Sequence, residues 1–274
     1  MVRGNTPAER LARLGFAVAV GSGFAIMVGP IILVLWLSFF SNAILSLPPD
    51  GYSLRWYQSI LGQKQFINGF MLSLEVAIFA TFGGLLVSLP ASFALSRFAF
   101  PGREAVLQLL MSPLTVPGIV IGSALYLAFI QFEIATDIPA AGSLWGLGFG
   151  HMLVTIPWCV RLLTANLVGV DPAIEEAAQS LGARPLATAF KVTLPMVWPG
   201  LVAAALFAFV VSFGNLEISL FLIAPGQTTL PIAILQYLEW KIDPTIAVVS
   251  TIQIAVIGTG LLVTDRFVSL TKVV

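Results

Sequence analysis

Charge is the scarcest commodity in this 274-residue chain: Asp, Glu, Lys and Arg together make up 9% of it, against 58% apolar residues. Soluble domains carry about 25% charged residues. A water-facing surface could not be covered at this composition, so a soluble globular fold is excluded. The 13 basic and 13 acidic residues cancel. No global field therefore favours nucleic acid or an anionic partner. One cysteine, Cys159, excludes an internal disulfide. One histidine, His151, excludes a histidine-pair metal site. No G-x-x-x-x-G-K-[ST] phosphate loop occurs, so the chain carries no such nucleotide site of its own. No Ser/His/Asp set is spaced for nucleophilic catalysis.

What remains is apolar sequence in runs. Mean hydropathy is +0.99, and the runs reach the roughly 20 residues that cross a bilayer core as a helix. The expectation is an all-α membrane protein with six spans. They run from about Leu14 to Phe40, Gly69 to Leu95, Val106 to Phe132, Leu144 to Val168, Met196 to Ala224, and Ile246 to Val263. The first run is longer than a signal-peptide core and no A-x-A-like site follows it, so it is read as retained. Pro30 inside it is tolerated in a membrane helix. Gly118 and Gly122 give the third span a small-xxx-small spacing for close helix approach. Tyr52, Trp56 and Tyr57 suit a membrane–water interface.

Lys and Arg set the orientation. With the N-terminus inside, Arg3, Arg10, Arg13, Arg97, Arg103, Arg161, Arg184, Lys191, Arg266 and Lys272 lie at or near the cytoplasm, ten of the 13 basic residues; Arg55, Lys64 and Lys241 lie outside. Both termini are then expected in the cytoplasm, as is the one charged island, Asp171–Pro199.

That island is punctuated as two short helices. Asp171 is a good N-cap and Pro172 a good first residue. Glu175 and Glu176 favour the positive end of the helix dipole. Ile174, Ala177, Ala178 and Leu181 fall on one apolar face, and Gly182 fits a left-handed stop. Pro185 opens a second helix with Leu186, Phe190 and Leu194 on one side, and Pro195 marks re-entry into the membrane. An ordinary amphipathic interfacial helix would show the same pattern.

Glu176-Ala177-Ala178, Gly182 four residues on, and Val192-Thr193-Leu194-Pro195 resemble the E-A-A-x-x-x-G-x9-I-x-L-P loop. That loop marks the transmembrane subunits of binding-protein-dependent ABC importers. Val192 for Ile is the one departure. The resemblance covers about Phe66 to Phe267, including His151–Arg161 and Ser73-Leu74. It implies a type I (MetI-like) importer permease fold: a cytoplasmic segment 1–13, a first helix 14–40, and a five-helix core 66–267 carrying a coupling loop 169–195. It implies that Glu175, Glu176, Ala177, Ala178, Leu181, Gly182, Leu194 and Pro195 form or flank the contact with an ATPase. The chain itself would be no enzyme and hold no cofactor; ATP and Mg would bind two copies of that partner subunit. A second permease, of a different chain more than a copy of this one, and a periplasmic solute-binding protein would complete the importer in a bacterial inner membrane.

Two carboxylates fall inside spans, Glu75 and Glu217. Each costs on the order of 2.5–3.5 kcal/mol at the bilayer centre, so each is expected to face a cavity or a polar partner. Ser212, Asn215 and Ser219 around Glu217 could line a polar path. The run Pro225-Gly226-Gln227-Thr228-Thr229-Leu230-Pro231 and the spacing to Trp240 resemble the spermidine/putrescine permeases. Many of these carry an acidic residue where Gly214-Asn215 stands, so the resemblance implies a polyamine or another amine-containing solute without choosing between them. An ion-coupled secondary carrier using Glu75 and Glu217 is the alternative, but it leaves the capped loop unexplained. His151 and Cys159 read as packing residues, Gly146–Gly150 as a helix-packing stretch, and the Ser-x-x-Lys match at Ser269–Lys272 as chance.

Overall fold

The structure, a computed structural model, describes residues 7–44 and 46–268; Arg3, Lys272 and the Ser269–Lys272 match lie outside the described residues. Two compact units emerge. One comprises Met1–Gln63 with Tyr237–Ile254, the other Lys64–Gln236 with Ala255–Val274. Among the described residues the only β contact is an isolated antiparallel bridge between Phe40 and Tyr52.

The first unit contains α1 (Pro7–Leu37) and the short α2 (Arg55–Ile60). Aromatic residues of the two helices and of the loop between them serve as ties. Trp36 Nε1 donates to Tyr52 Oη at 3.2 Å, Trp56 Nε1 donates to the Phe40 carbonyl at 2.9 Å, and Ser38 and Tyr57 hydroxyls meet at 2.7 Å.

The second unit is built on α3 (Lys64–Arg97) and α6 (Leu144–Val168), its most extensive helix pair. Lipid is as apolar as leucine, so hydrophobicity alone cannot bring two spans together; close contact and interhelical hydrogen bonds do. On α3, Ser73, Ala77, Ala80, Gly84, Ser88 and Ser92 recur every three or four residues and are buried. Thr155 Oγ1 donates to the Ala80 carbonyl, Ser88 Oγ to Ile156 and Ser92 Oγ to Val160, each at 3.4 Å. The glycines of α6 also admit neighbours: Gly148 receives the Phe79 ring, and Gly150 receives Leu222 and Ile218. The expected helix-packing role of that stretch is what the geometry shows.

Two predicted spans are broken. The third divides into α4 (Arg103–Met111), a 3-10 turn Ser112–Leu114, and α5 (Gly118–Thr136). Pro113 and Pro117 lack the amide proton, and each ring obstructs the carbonyl four residues back, so the helix cannot run through. The fifth divides into α10 (Trp198–Phe213) and α11 (Glu217–Leu222). Here Asn215 Oδ1 accepts from Ile218 N at 2.9 Å, a local bond that competes with the helical ladder. Upstream, the chain turns by 73° between the segment Pro185–Met196 and α10. Among the described residues, five helices are long and apolar enough to cross a membrane, or six if that bent pair forms one span. A further helix, α12 (Leu230–Trp240), occupies the predicted loop before α13 (Pro244–Val268).

A Cβ at Gly84 would stand 2.7 Å from Thr155 Oγ1. Gly84→Leu should therefore cost about 1–3 kcal/mol by overpacking. A fall in thermal unfolding temperature in detergent is the expected readout; an unshifted transition would show that the α3–α6 seam yields at this point.

Candidate functional site: a buried ion pair under an exposed loop

The charged island folds as α7 (Pro172–Ser180), α8 (Pro185–Thr188), a π turn Ala189–Thr193 and α9 (Leu194–Met196). Asp171 caps α7 as expected, its Oδ1 accepting from Ala173 N at 2.9 Å. Gly182 ends the turn at φ +92°, a conformation that side chains strain to adopt. The Ala183 amide then returns to the Ala178 carbonyl at 3.1 Å, a Schellman-like closure.

The buried face of α7 differs from the apolar one expected. Glu175 is the buried residue, while Ile174, Leu181, Leu186 and Phe190 are exposed, Leu181 by 91%. Glu176 and Ala177 face outward too, and Ala178 is half-buried. The reason is a partner the sequence kept at a distance. Arg97, in the last turn of α3, donates from Nε to both Glu175 carboxylate oxygens at 3.0 and 3.1 Å, and from Nη2 to Oε1 at 2.9 Å. The same Nη2 reaches the Val170 carbonyl at 3.1 Å, and Thr193 Oγ1 donates to Glu175 Oε1 at 3.0 Å. Both charged side chains are 10% exposed. Removing one partner of such a pair would strand the other, at about 3–5 kcal/mol. The pair thus fastens both ends of the loop to α3: Val170 before α7 and Thr193 after it. Leu194 is half-buried and packs with Leu167, Val170 and Val197, whereas Pro195 is exposed.

The second candidate cluster separates into two groups. Ser212 and Ser219 are buried and turn to His151, at 2.9 Å from Nδ1 and 3.0 Å from Nε2. Ser219 spends its one proton on the Asn215 carbonyl at 2.8 Å. Nε2 must then donate to Ser219, and Nδ1 accepts from Ser212. One imidazole on α6 therefore clamps α10 and α11 across their break. Glu217 is exposed; its carboxylate lies against Gly118, the first residue of α5, where no Cβ could fit beside it. Gly122 admits Phe221, so the small-xxx-small face of α5 receives α11. Glu75 is exposed on the outer side of α3, apart from this cluster. Ser73, two residues away, accepts from Leu230 N at 2.9 Å, which joins the head of α3 to the Thr-Thr-Leu-Pro run. No group of three or more His, Cys, Asp or Glu occurs that could hold a metal among the described residues.

The loop and the core that carries it match a family profile, that of the binding-protein-dependent transport system inner membrane component, over residues 84–270. The chain belongs to this family. It is a permease subunit of an ABC importer and not an enzyme; ATP hydrolysis belongs to a separate subunit. The secondary-carrier alternative falls with that assignment. The chain is 29% identical over 237 residues to the putrescine transport system permease protein PotI of Escherichia coli K12, covering 86% of this chain and 84% of that one. It is 29% identical over 244 residues to the spermidine/putrescine permease PotC of the same strain, covering 89% and 88%. It is 28% identical to a putative 2-aminoethylphosphonate permease, PhnV, of Salmonella paratyphi A, covering 74% of each. Among solved structures, a bacterial ABC transporter for alginate import matches with TM-score 0.75 at 15% identity, over 96% of this chain and 98% of that one. The MetNI methionine transporter matches with TM-score 0.61 at 20% identity, over 78% and 98%. At these identities the two structures speak for the fold. The permease is thus a multi-pass inner-membrane protein.

Residue reasoning missed two members of this site. Arg97 was counted only as an orienting charge, and Thr193 only as a motif position; their spacing from Glu175 carries no sequence signal.

His151→Leu should strand the Ser212 hydroxyl, at about 1–3 kcal/mol, and take the Nε2 donor from Ser219, which keeps its bond to the Asn215 carbonyl. Limited proteolysis of the permease in detergent should show faster cleavage near Gly214. An unchanged cleavage pattern would mean that the clamp is dispensable.

Proposed function

We propose that Asp171–Pro195 is the docking element through which a partner ATPase drives the permease, and that the solute is a small amine-containing organic molecule, a polyamine or another amine. The exposed apolar face carries this reading. Ile174, Leu181, Leu186 and Phe190 are exposed on a loop that is anchored by a buried ion pair and by the packing of its ends. Exposed apolar groups rimmed by charge suit a protein interface. Glu176, Ala177, Ala178 and Gly182 supply close approach, while Glu175, Leu194 and Pro195 shape the element from beneath or beside it. Two ATP-binding subunits, holding ATP and Mg, would each take one such loop. One would come from this permease (core 66–267, loop 169–195) and one from a second, different permease. The distribution of basic residues supports a cytoplasmic side for both termini and this loop, with 1–13 inside and 14–40 as the first span. A periplasmic binding protein would deliver solute.

The solute class is supported by the relatives PotI, PotC and PhnV, whose named solutes all carry an amine. Glu217 offers such an amine a carboxylate beside a helix break, and broken helices are where transporter sites gather. Asn215 is half-buried and adjacent; Ser212 and Ser219 shape the break through His151 without reaching solute; Glu75 would serve elsewhere along the path.

Leu181→Asp should abolish co-purification of the ATPase subunit while the permease still folds; retained co-purification would remove the loop from the interface. Glu217→Gln should raise the half-saturating concentration for uptake about tenfold or more, the loss of one charged hydrogen bond. Uptake of putrescine, spermidine and 2-aminoethylphosphonate by the reconstituted importer is the assay. An unaltered concentration dependence for a transported amine would exclude Glu217 as a solute contact.

A further inference from the structure

We infer that Arg97 is a positioning residue for energy coupling: its pairing with Glu175 locks the docking loop to the end of α3, so that loop and span move as one body. The inference rests on the docking reading above and adds the route by which movement leaves the loop.

A docking element transmits force only if it is stiff relative to the span it must move. The loop has poor means of its own: α7 has 9 residues and α8 has 4. Helices this short are marginal without tertiary support. Its outer apolar face, Ile174, Leu181, Leu186 and Phe190, is turned away from the core, and apolar packing holds only its ends, where Val170, Leu194 and Val197 meet Leu167 and Phe93. Between those ends the connection is made by one guanidinium. Arg97 holds the Glu175 carboxylate through three contacts of 2.9–3.1 Å and takes the Val170 carbonyl with the same Nη2. Thr193, beyond the second helix, closes onto the same carboxylate oxygen. Entry, middle and exit of the loop converge on the last turn of α3. Arg103 reinforces that end, its Nε donating to the Leu95 carbonyl at 2.9 Å.

From Arg97 the path continues through packing already described. Ser92 and Ser88, about one and a half and two and a half turns back along α3, bond to α6, and α6 holds the α10–α11 break through His151. Displacement of the loop therefore reaches the half-helix bearing Glu217 through three bonded contacts. A planar guanidinium suits this post better than an ammonium, because its fork fixes direction as well as distance.

The test uses the assembled complex of permease, ATPase and second permease in a Cys159→Ala background. Spin labels are placed at Ala183 on the loop and Phe98 just beyond α3, and the distance between them is measured without nucleotide and with ATP plus vanadate. In the otherwise native permease a single narrow distance should persist in both states. Arg97→Gln should broaden the distribution at least twofold while the ATPase still co-purifies, and Arg97→Lys should restore part of the narrowness. A distance that changes with nucleotide in the native pair would overturn the inference, and so would an Arg97→Gln distribution as narrow as the native one. Loss of the ATPase in Arg97→Gln would also overturn it, by making Arg97 part of the docking surface. The docking reading fails separately, by retained ATPase in Leu181→Asp.

Discussion

Everything in the permease core depends on how closely α3 and α6 approach. In lipid the two helices gain nothing by hiding apolar surface from water, so the contact must come from shape and hydrogen bonding. A stripe of Ser, Ala and Gly on α3 supplies the shape, and the hydroxyls of Ser88, Ser92 and Thr155 reach backbone carbonyls across the seam. Those carbonyls already serve the helical ladder, so each added bond is modest. Their value lies in direction: they fix the rotation of one helix against the other. That rotation determines where Arg97 emerges at one end of α3 and where His151 faces on α6.

The two broken spans follow from the same constraint. A helix interrupted in an apolar surrounding leaves backbone groups that must find partners inside the protein. At the α10–α11 break, Asn215 accepts the Ile218 amide, and its carbonyl takes the Ser219 hydroxyl. His151 then joins both helices through Ser212 and Ser219. The glycine face of α5 admits α11 closely enough that Glu217 lies against Gly118. The carboxylate itself remains exposed beside the break.

The loop presents the opposite arrangement. Its apolar residues face out and its carboxylate faces in. An amphipathic helix folding by itself onto a core would reverse that order. Nothing in the pattern Ile174, Ala177, Ala178, Leu181 foretells this inversion.

Composition alone established a membrane protein, because 9% charge cannot clothe a soluble surface. Local chemistry was equally legible: the Asp171 cap and the Gly182 stop act within a few residues, and the Gly118–Gly122 spacing marks a close-packing face without naming the helix that meets it. Pro113 and Pro117 stood in the sequence as well, yet the hydropathy of the third span concealed the break they cause, since an apolar run looks the same whether or not its helix is continuous. The loop motif pointed to the family for the same local reason, that its spacing is a property of one short segment. Only the tertiary structure decided which face of α7 is buried. Glu175 and Arg97 are 78 positions apart, and no periodicity links them. Their meeting depends on where the α3–α6 seam ends. The sole histidine is the same case: His151 read as packing, but that it bridges α10 and α11 depends on Ser212 and Ser219, 61 and 68 residues away. Sequence patterns report what a residue does to its own helix; long-range packing decides which residue it meets.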